Sequence, residues 1–178
     1  MIVAAYQGFS PEGNIESALA TVDRTLAKAA NEDVEMLVFP ELYFPGYNQM
    51  NSHPVVAQKQ GGSWETKLAA LAKKHDCGLT IGWAERDGDS IYNSASTFDR
   101  AGKKLAHFRK IQLWGKTEQE IFEFGDSYVT FELAGIKIGL LICYDVEFPQ
   151  HVQALAQMGV QLVPVSYTHL TLPTILLV

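Results

Sequence analysis

The chain has 178 residues, with 14 Lys+Arg against 20 Asp+Glu for a net charge of −6, and 47% of its residues are hydrophobic. That length suits one domain with a sizeable core, or part of a larger one, and the apolar share argues against intrinsic disorder. An acidic balance without a Lys/Arg-rich run argues against nucleic acid and anionic membrane as main partners.

Ile2–Gln7 is short, apolar and bounded by Gly8, which predicts a buried strand. Asn14 is placed to cap a helix whose apolar positions Ile15, Ala18, Leu19, Val22, Leu26 and Ala29 follow the 3.6-residue period. Met36–Phe39 predicts a second buried strand, ended by Pro40. After a loop with Pro45, Gly46 and Asn48, the residues Trp64, Leu68, Leu71 and Ala72 mark a second amphipathic helix, and Cys77–Ala84 a third strand. Strand, helix, strand, helix, strand is the order of parallel pairing with helices over the sheet. Ile91–Phe98 and Lys103–Lys110 flank the turn Asp99-Arg100-Ala101-Gly102 as a hairpin, and Tyr128–Leu133 and Ile136–Ile142 flank Gly135 as another. Pro149–Met158 reads as a helix with Pro149 at its first position, and Val160–Val163 begins a further strand. The sum is a mixed α/β sheet.

The N-terminus MIVAAYQG has neither the basic nor the apolar region of a secretory leader, and Cys77 and Cys143 make no disulfide framework. A reducing, cytoplasmic setting is expected. After Glu147 the chain carries no Asp, Glu, Lys or Arg. Its last stretch, VSYTHLTLPTILLV, is neutral and β-prone, and its proline and polar residues make it a poor membrane span. Such a tail is either buried against something else or prone to aggregate.

Familiar nucleotide cradles are missing: no GxGxxG follows the first strand and there is no GxxxxGK[ST]. His53, His75, His107, His151 and His169 lack metal-ligand spacing and no CxxC exists, so no metal site is expected. Cys143 draws attention because it ends the apolar run IKIGLLI just before a turn and the helix at Pro149. The carboxyl ends of strands are where ligands bind in open α/β sheets, and a nearby helix N-terminus favours a thiolate. The plain alternative is a small buried hydrophobe, which is the reading given to Cys77. Glu41 follows the strand ending at Pro40, beside Tyr43, Phe44 and Tyr47, and suits a general base with a raised pKa; its alternative is a solvated loop carboxylate. Lys110 closes LAHFRK next to Ile111, Leu113 and Trp114, where it is either a stabiliser of developing negative charge or a solvated cation.

Taken together, FPELYFPGY, HFRKIQLWG and GLLICYDVEFP, in that order, closely resemble the nitrilase superfamily of carbon–nitrogen hydrolases. The resemblance implies Glu41 as general base, Lys110 as oxyanion stabiliser and Cys143 as nucleophile. Many members carry a second Glu in a segment of the form E-x-x-x-F-x-x-G, which Glu118–Gly125 matches, so Glu118 is the candidate to hold Lys110, with Glu120 as its rival. The resemblance further implies a four-layer αββα sandwich, a small amide or nitrile substrate, no metal or organic cofactor, and homo-oligomeric assembly through helices near the nucleophile. Tyr144, whose N–H would join Lys110 at the oxyanion, and the aromatic residues Tyr43 and Trp114 are candidate substrate contacts.

Tyr144-Asp145-Val146-Glu147-Phe148-Pro149 resembles the amidase branches more than the nitrilase branch, which favours Trp-Glu after the cysteine. A small-carboxamide amidase is therefore expected, with nitrile or carbamoyl-amine hydrolysis as alternatives. Two other classes stay open on the residues alone: a Cys–His thiol hydrolase using His107 or His151, and a binding module or inactive fragment. The resemblance runs from the first strand to about Pro164. Members of the superfamily are longer, so residues 1–164 are expected to be the hydrolase domain with its second half incomplete. Residues 165–178 match nothing expected there and read as a tail of non-native origin.

Overall fold

The computed structural model describes residues 1–167; the last residues of the predicted tail, 168–178, lie outside it. Apolar segments that pair as strands run in the order β1 (Val3–Ala5), β2 (Met36–Val38), β3 (Gly78–Asp87), β4 (Ser90–Phe98) and β5 (Lys104–Arg109), and they form one five-stranded sheet in that same order. The first three are parallel, and β3, β4 and β5 are antiparallel neighbours. The parallel links carry helices, α1 (Ile15–Ala30) before β2, then α2 (His53–Val56) and α3 (Ser63–His75) before β3. Asn14 caps α1 as predicted, its side chain accepting the N–H of Ser17 at 2.9 Å.

Period-2 alternation gives the sheet two different faces. On one, Leu79, Ile81 and Trp83 meet Val22 and Leu26 of α1 and Leu68 of α3. On the other, Met36, Val38, Ala95, Ala106 and Phe108 meet Phe131, Ile138, Leu141 and Ile142 of a second layer of strands. That layer holds an antiparallel pair, β6 (Thr130–Leu133) with β7 (Ile136–Gly139), and a parallel pair, β8 (Leu141–Ile142) with β9 (Val165–Ser166). A methyl placed on Gly139 would meet Leu155, so α5 (Pro149–Gln157) lies on the far side of the second layer. Helix, sheet, sheet, helix is the layering the resemblance implies.

The structure departs from the sequence reading in four places. The first strand, expected to be buried, is an edge strand whose Val3 and Ala5 are exposed. The run Ile136–Ile142 is broken at Leu140, its first part pairing with β6 and its second with β9. The strand expected over Val160–Val163 is reduced to one bridge between Leu162 and Ile138, and pairing proper begins at Val165. Gly159, with φ +80, and Pro164 bound the intervening residues and delay the strand. A helix over Gly115–Ile121, α4, was not signalled by apolar periodicity. Ser166 donates from Oγ to the carbonyl of Phe39 at 2.7 Å, which ties β9 to the end of β2.

Candidate active site

Glu41, Lys110, Glu118 and Cys143 come from three connections, Lys110 and Glu118 sharing the one after β5, and converge between the two layers. Glu41 follows β2 in a loop that lies directly on β3: a Cβ at Gly82 would come within 2.5 Å of the Leu42 nitrogen and 2.7 Å of the Glu41 Cα. Only glycine permits that approach. Lys110 follows β5, and its N–H donates to the Asn93 carbonyl at 2.8 Å, continuing the ladder. Glu118 sits on α4, whose end is anchored by buried Phe122. Gly125 then donates to the Lys110 carbonyl at 2.7 Å, and a Cβ there would strike the Arg109 carbonyl at 2.2 Å. Thus the Glu, Phe and Gly of the E-x-x-x-F-x-x-G segment place the carboxylate, bury the helix end and return the chain against β5.

Lys110 is fully buried, and Nζ donates to Glu41 Oε1 at 2.6 Å and to Glu118 Oε1 and Oε2 at 3.1 and 2.9 Å. Glu118 also accepts the Tyr47 hydroxyl at 2.7 Å and the Trp114 N–H at 2.9 Å, so both its oxygens are occupied. Its rival Glu120 is 63% exposed and pairs only loosely with Lys116 at 3.5 Å. Glu41 differs. Asn93 Nδ2 joins Lys110 on Oε1 at 2.8 Å, while buried Oε2 has no partner of ordinary hydrogen-bond geometry. Burial raises the Glu41 carboxyl above its usual range against the pull of Lys110, and the Glu118 charge adds to the rise. Burial would lower the Lys110 ammonium, but Glu41 and Glu118 outweigh it and hold the group charged.

Cys143 opens a turn of 3₁₀ helix over Cys143–Glu147 with φ +47, in the left-handed region that a residue bearing a Cβ seldom enters. Its thiol is half-buried, and burial together with the adjoining Glu41 charge pushes it up to about 12, against the pull of Lys110. The thiol is therefore protonated at rest. Asp145 fixes this turn to the Lys110 loop: Oδ1 accepts from Ile111 and Gln112 at 3.1 and 2.7 Å, and Oδ2 from Ile142 at 2.9 Å. Burial raises the Asp145 carboxyl to about 6 in spite of those donors.

The aromatic candidates fall in different places. Tyr144 is half-buried and meets Phe148 edge-on at 5.1 Å. Tyr43 packs among Tyr6, Phe39 and Phe44, and its hydroxyl is directed to Tyr6 and Thr21; its ring also walls a cleft of about 60 Å³ with Glu41 and Tyr47. Trp114 is half-exposed at the start of α4 and reaches the cluster through its backbone. Of the histidines weighed as bases, His107 bonds Ser96 and Glu85 on the opposite, helix-covered face of the sheet, and His151 bonds Tyr128 and Gln112. Among the described residues no group of three or more His, Cys, Asp or Glu side chains is arranged to hold a metal ion. Sequence reading missed Asn93, Asp145 and the role of Tyr47 as a partner of Glu118. Asn93 lies inside a strand, where Asn is disfavoured, and that was the available signal.

Comparison with known proteins identifies the family. The family model for carbon–nitrogen hydrolases matches residues 2–175. The chain is 36% identical over 134 residues to the hydrolase in the pqqF 5' region of Pseudomonas protegens, covering 74% of this chain and 47% of that one. It is 35% identical over 134 residues to an (R)-stereoselective amidase of a Pseudomonas species, covering 75% and 48%. Among solved structures it superposes on an amidase from Nesterenkonia sp. with a TM-score of 0.87 at 29% identity, covering 93% of this chain and 64% of that one. Another structure of that amidase shows acrylamide added to its active-site cysteine. The chain spans about half the length of these curated relatives.

Proposed function

This chain belongs to the carbon–nitrogen hydrolase family, and from that premise we propose that it is an amidase converting a small carboxamide to a carboxylic acid and ammonia through a thioester on Cys143. The observation that carries the reading is a buried ammonium, Lys110, gripped by two carboxylates, of which one is saturated and the other keeps a free oxygen beside a thiol.

Because the thiol is protonated at rest, attack and proton transfer occur together. Sγ bonds the carbonyl carbon as its proton passes to Glu41, and the carbonyl pair moves onto oxygen. Lys110 meets that oxyanion. An ammonium has three N–H bonds; Glu41 takes one and the two Glu118 oxygens share a second, which leaves a third for the reacting oxygen. The Tyr144 N–H is the second donor. Collapse breaks the C–N bond, and the proton on Glu41 goes to the leaving nitrogen. A water then gives its proton to Glu41 and attacks the thioester; the C–S bond breaks and the proton returns to sulfur. Glu118, held by Tyr47 and Trp114, keeps Lys110 in place and balances its charge. Tyr43, which walls the cleft beside Glu41, and Tyr144, next to Cys143, are the acyl-group contacts, and no metal or organic cofactor takes part.

A nitrilase or carbamoyl-amine hydrolase would use the same groups, and the absence of Trp-Glu after Cys143 favours the amidase. The free cysteines fit a reducing compartment, and we place the enzyme in the cytoplasm. Half-exposed Val152 and Met158 on and just after α5 fit homo-oligomeric assembly at that helix. The test is ammonia release from small amides, nitriles and carbamoyl amines by this chain and by Cys143→Ala. Release from amides that vanishes in the variant is the expected result. A folded chain that releases no ammonia, or releases it without Cys143, overturns the proposal.

A further inference from the structure

Glu41 has two carboxylate oxygens, and the structure treats them unequally. Oε1 takes Lys110 Nζ at 2.6 Å and Asn93 Nδ2 at 2.8 Å, whereas buried Oε2 has no partner of ordinary hydrogen-bond geometry among the described residues. Asn93 is fully buried in β4 on the face turned to the second layer. Turned the other way, its amide would set oxygen against a carboxylate oxygen, so nitrogen faces Glu41 and Asn93 Oδ1 is left buried and unpartnered. A buried acceptor without a protein partner is destabilising, and such an atom calls for a specific explanation. The same residue accepts the Lys110 N–H through its backbone carbonyl at 2.8 Å. One strand position therefore sets both the general base and the cation.

Resting on the amidase reading, we propose that Asn93 is a positioning residue that locks Glu41 Oε1, so that Oε2 is the oxygen that takes the Cys143 proton. A donor to the ionised carboxylate also favours that form, in the same sense as Lys110 and against the burial that raises the carboxyl. Removing it lifts the pH at which Glu41 becomes a base; a purely structural asparagine would leave that pH where it is.

Asn93→Leu keeps the volume and removes the donor, and Asn93→Asp keeps the shape and sets a second carboxyl against Glu41. The reading is the rate of Cys143 alkylation by iodoacetamide between about pH 5 and about pH 9, resolved by peptide with Cys77 as internal control. It needs no turnover. With thermal melting confirming a folded chain, the acid limb is expected to rise by about one pH unit in Asn93→Leu and further in Asn93→Asp. Should Asn93→Leu not fold, Asn93→Asp is read alone. Limbs that superimpose on that of the parent overturn the inference, and if ammonia release still depends on Cys143 the amidase reading survives. Shifted limbs without ammonia release leave Asn93 in its role and remove the amidase.

Discussion

Two buried ionic clusters sit on opposite faces of the five-stranded sheet. On the helix-covered face, Glu85 accepts Arg109 through Nε and Nη2, and also Ser94, His107 and Gln60, while Ser96 joins His107 to Glu65. Both Glu85 oxygens are filled. Burial alone would raise its carboxyl, but the His107 and Arg109 bonds hold it well below the usual carboxylate range. On the other face, Glu41 and Cys143 are both raised, and Glu41 Oε2 and Asn93 Oδ1 have no partner of ordinary hydrogen-bond geometry among the described residues. Composition alone does not separate the clusters, since each has carboxylates, cations and a polar strand residue. Saturation does: a closed network braces the sheet, and an open one keeps capacity for a reacting molecule.

The hardest test of this contrast is Lys110→Met, which leaves two carboxylates buried together. Unfolding titration should show a loss of about 3–5 kcal/mol along with all turnover. Glu85→Gln should lower stability by about 1.5–3 kcal/mol, the range for hydrogen bonds to a charged group, yet leave Cys143 alkylation unchanged. It should also flatten the acid side of the stability profile. The folded pKa of Glu85 is depressed, so its contribution is present above the ordinary value of 4.5 and lost as pH falls through the folded one. Asp145 has the opposite sign: raised to about 6 from 3.8, it favours folding fully below 3.8 and loses that contribution as pH climbs through 6. Melting temperatures of Asp145→Asn and the parent should therefore differ in slope across that window. Glu41→Gln removes the charge that opposes ionisation of Cys143, so ultraviolet titration should find the thiolate below 12 even as turnover disappears. Glu120→Gln, at the exposed rival position, should change neither stability nor rate measurably.

Much of this was legible in the chain. Asn14 and its 3.6-period partners gave α1, the β4–β5 hairpin followed from its Asp-Arg-Ala-Gly turn, and the three motifs marked Glu41, Lys110 and Cys143. What stayed hidden depends on neighbours far along the chain. Asn93 bonds a residue 52 positions away, and Tyr47 one 71 away, so no local period reports either. The short helix α4 is held by Phe122 burial and by the Gly125 contact with β5, not by its own propensity. The break at Leu140 arises because the residues on either side of it pair with different strands.

The backbone of Cys143, at φ +47, has a consequence for directed evolution. Glycine enters that region without the steric cost of a Cβ, roughly 1–2 kcal/mol for other residues. A library of this chain selected only for survival on heating should therefore enrich Cys143→Gly, the one exchange at this position that relieves the turn while discarding the proposed nucleophile. Selection for heat resistance and selection for ammonia release would pull this codon in opposite directions.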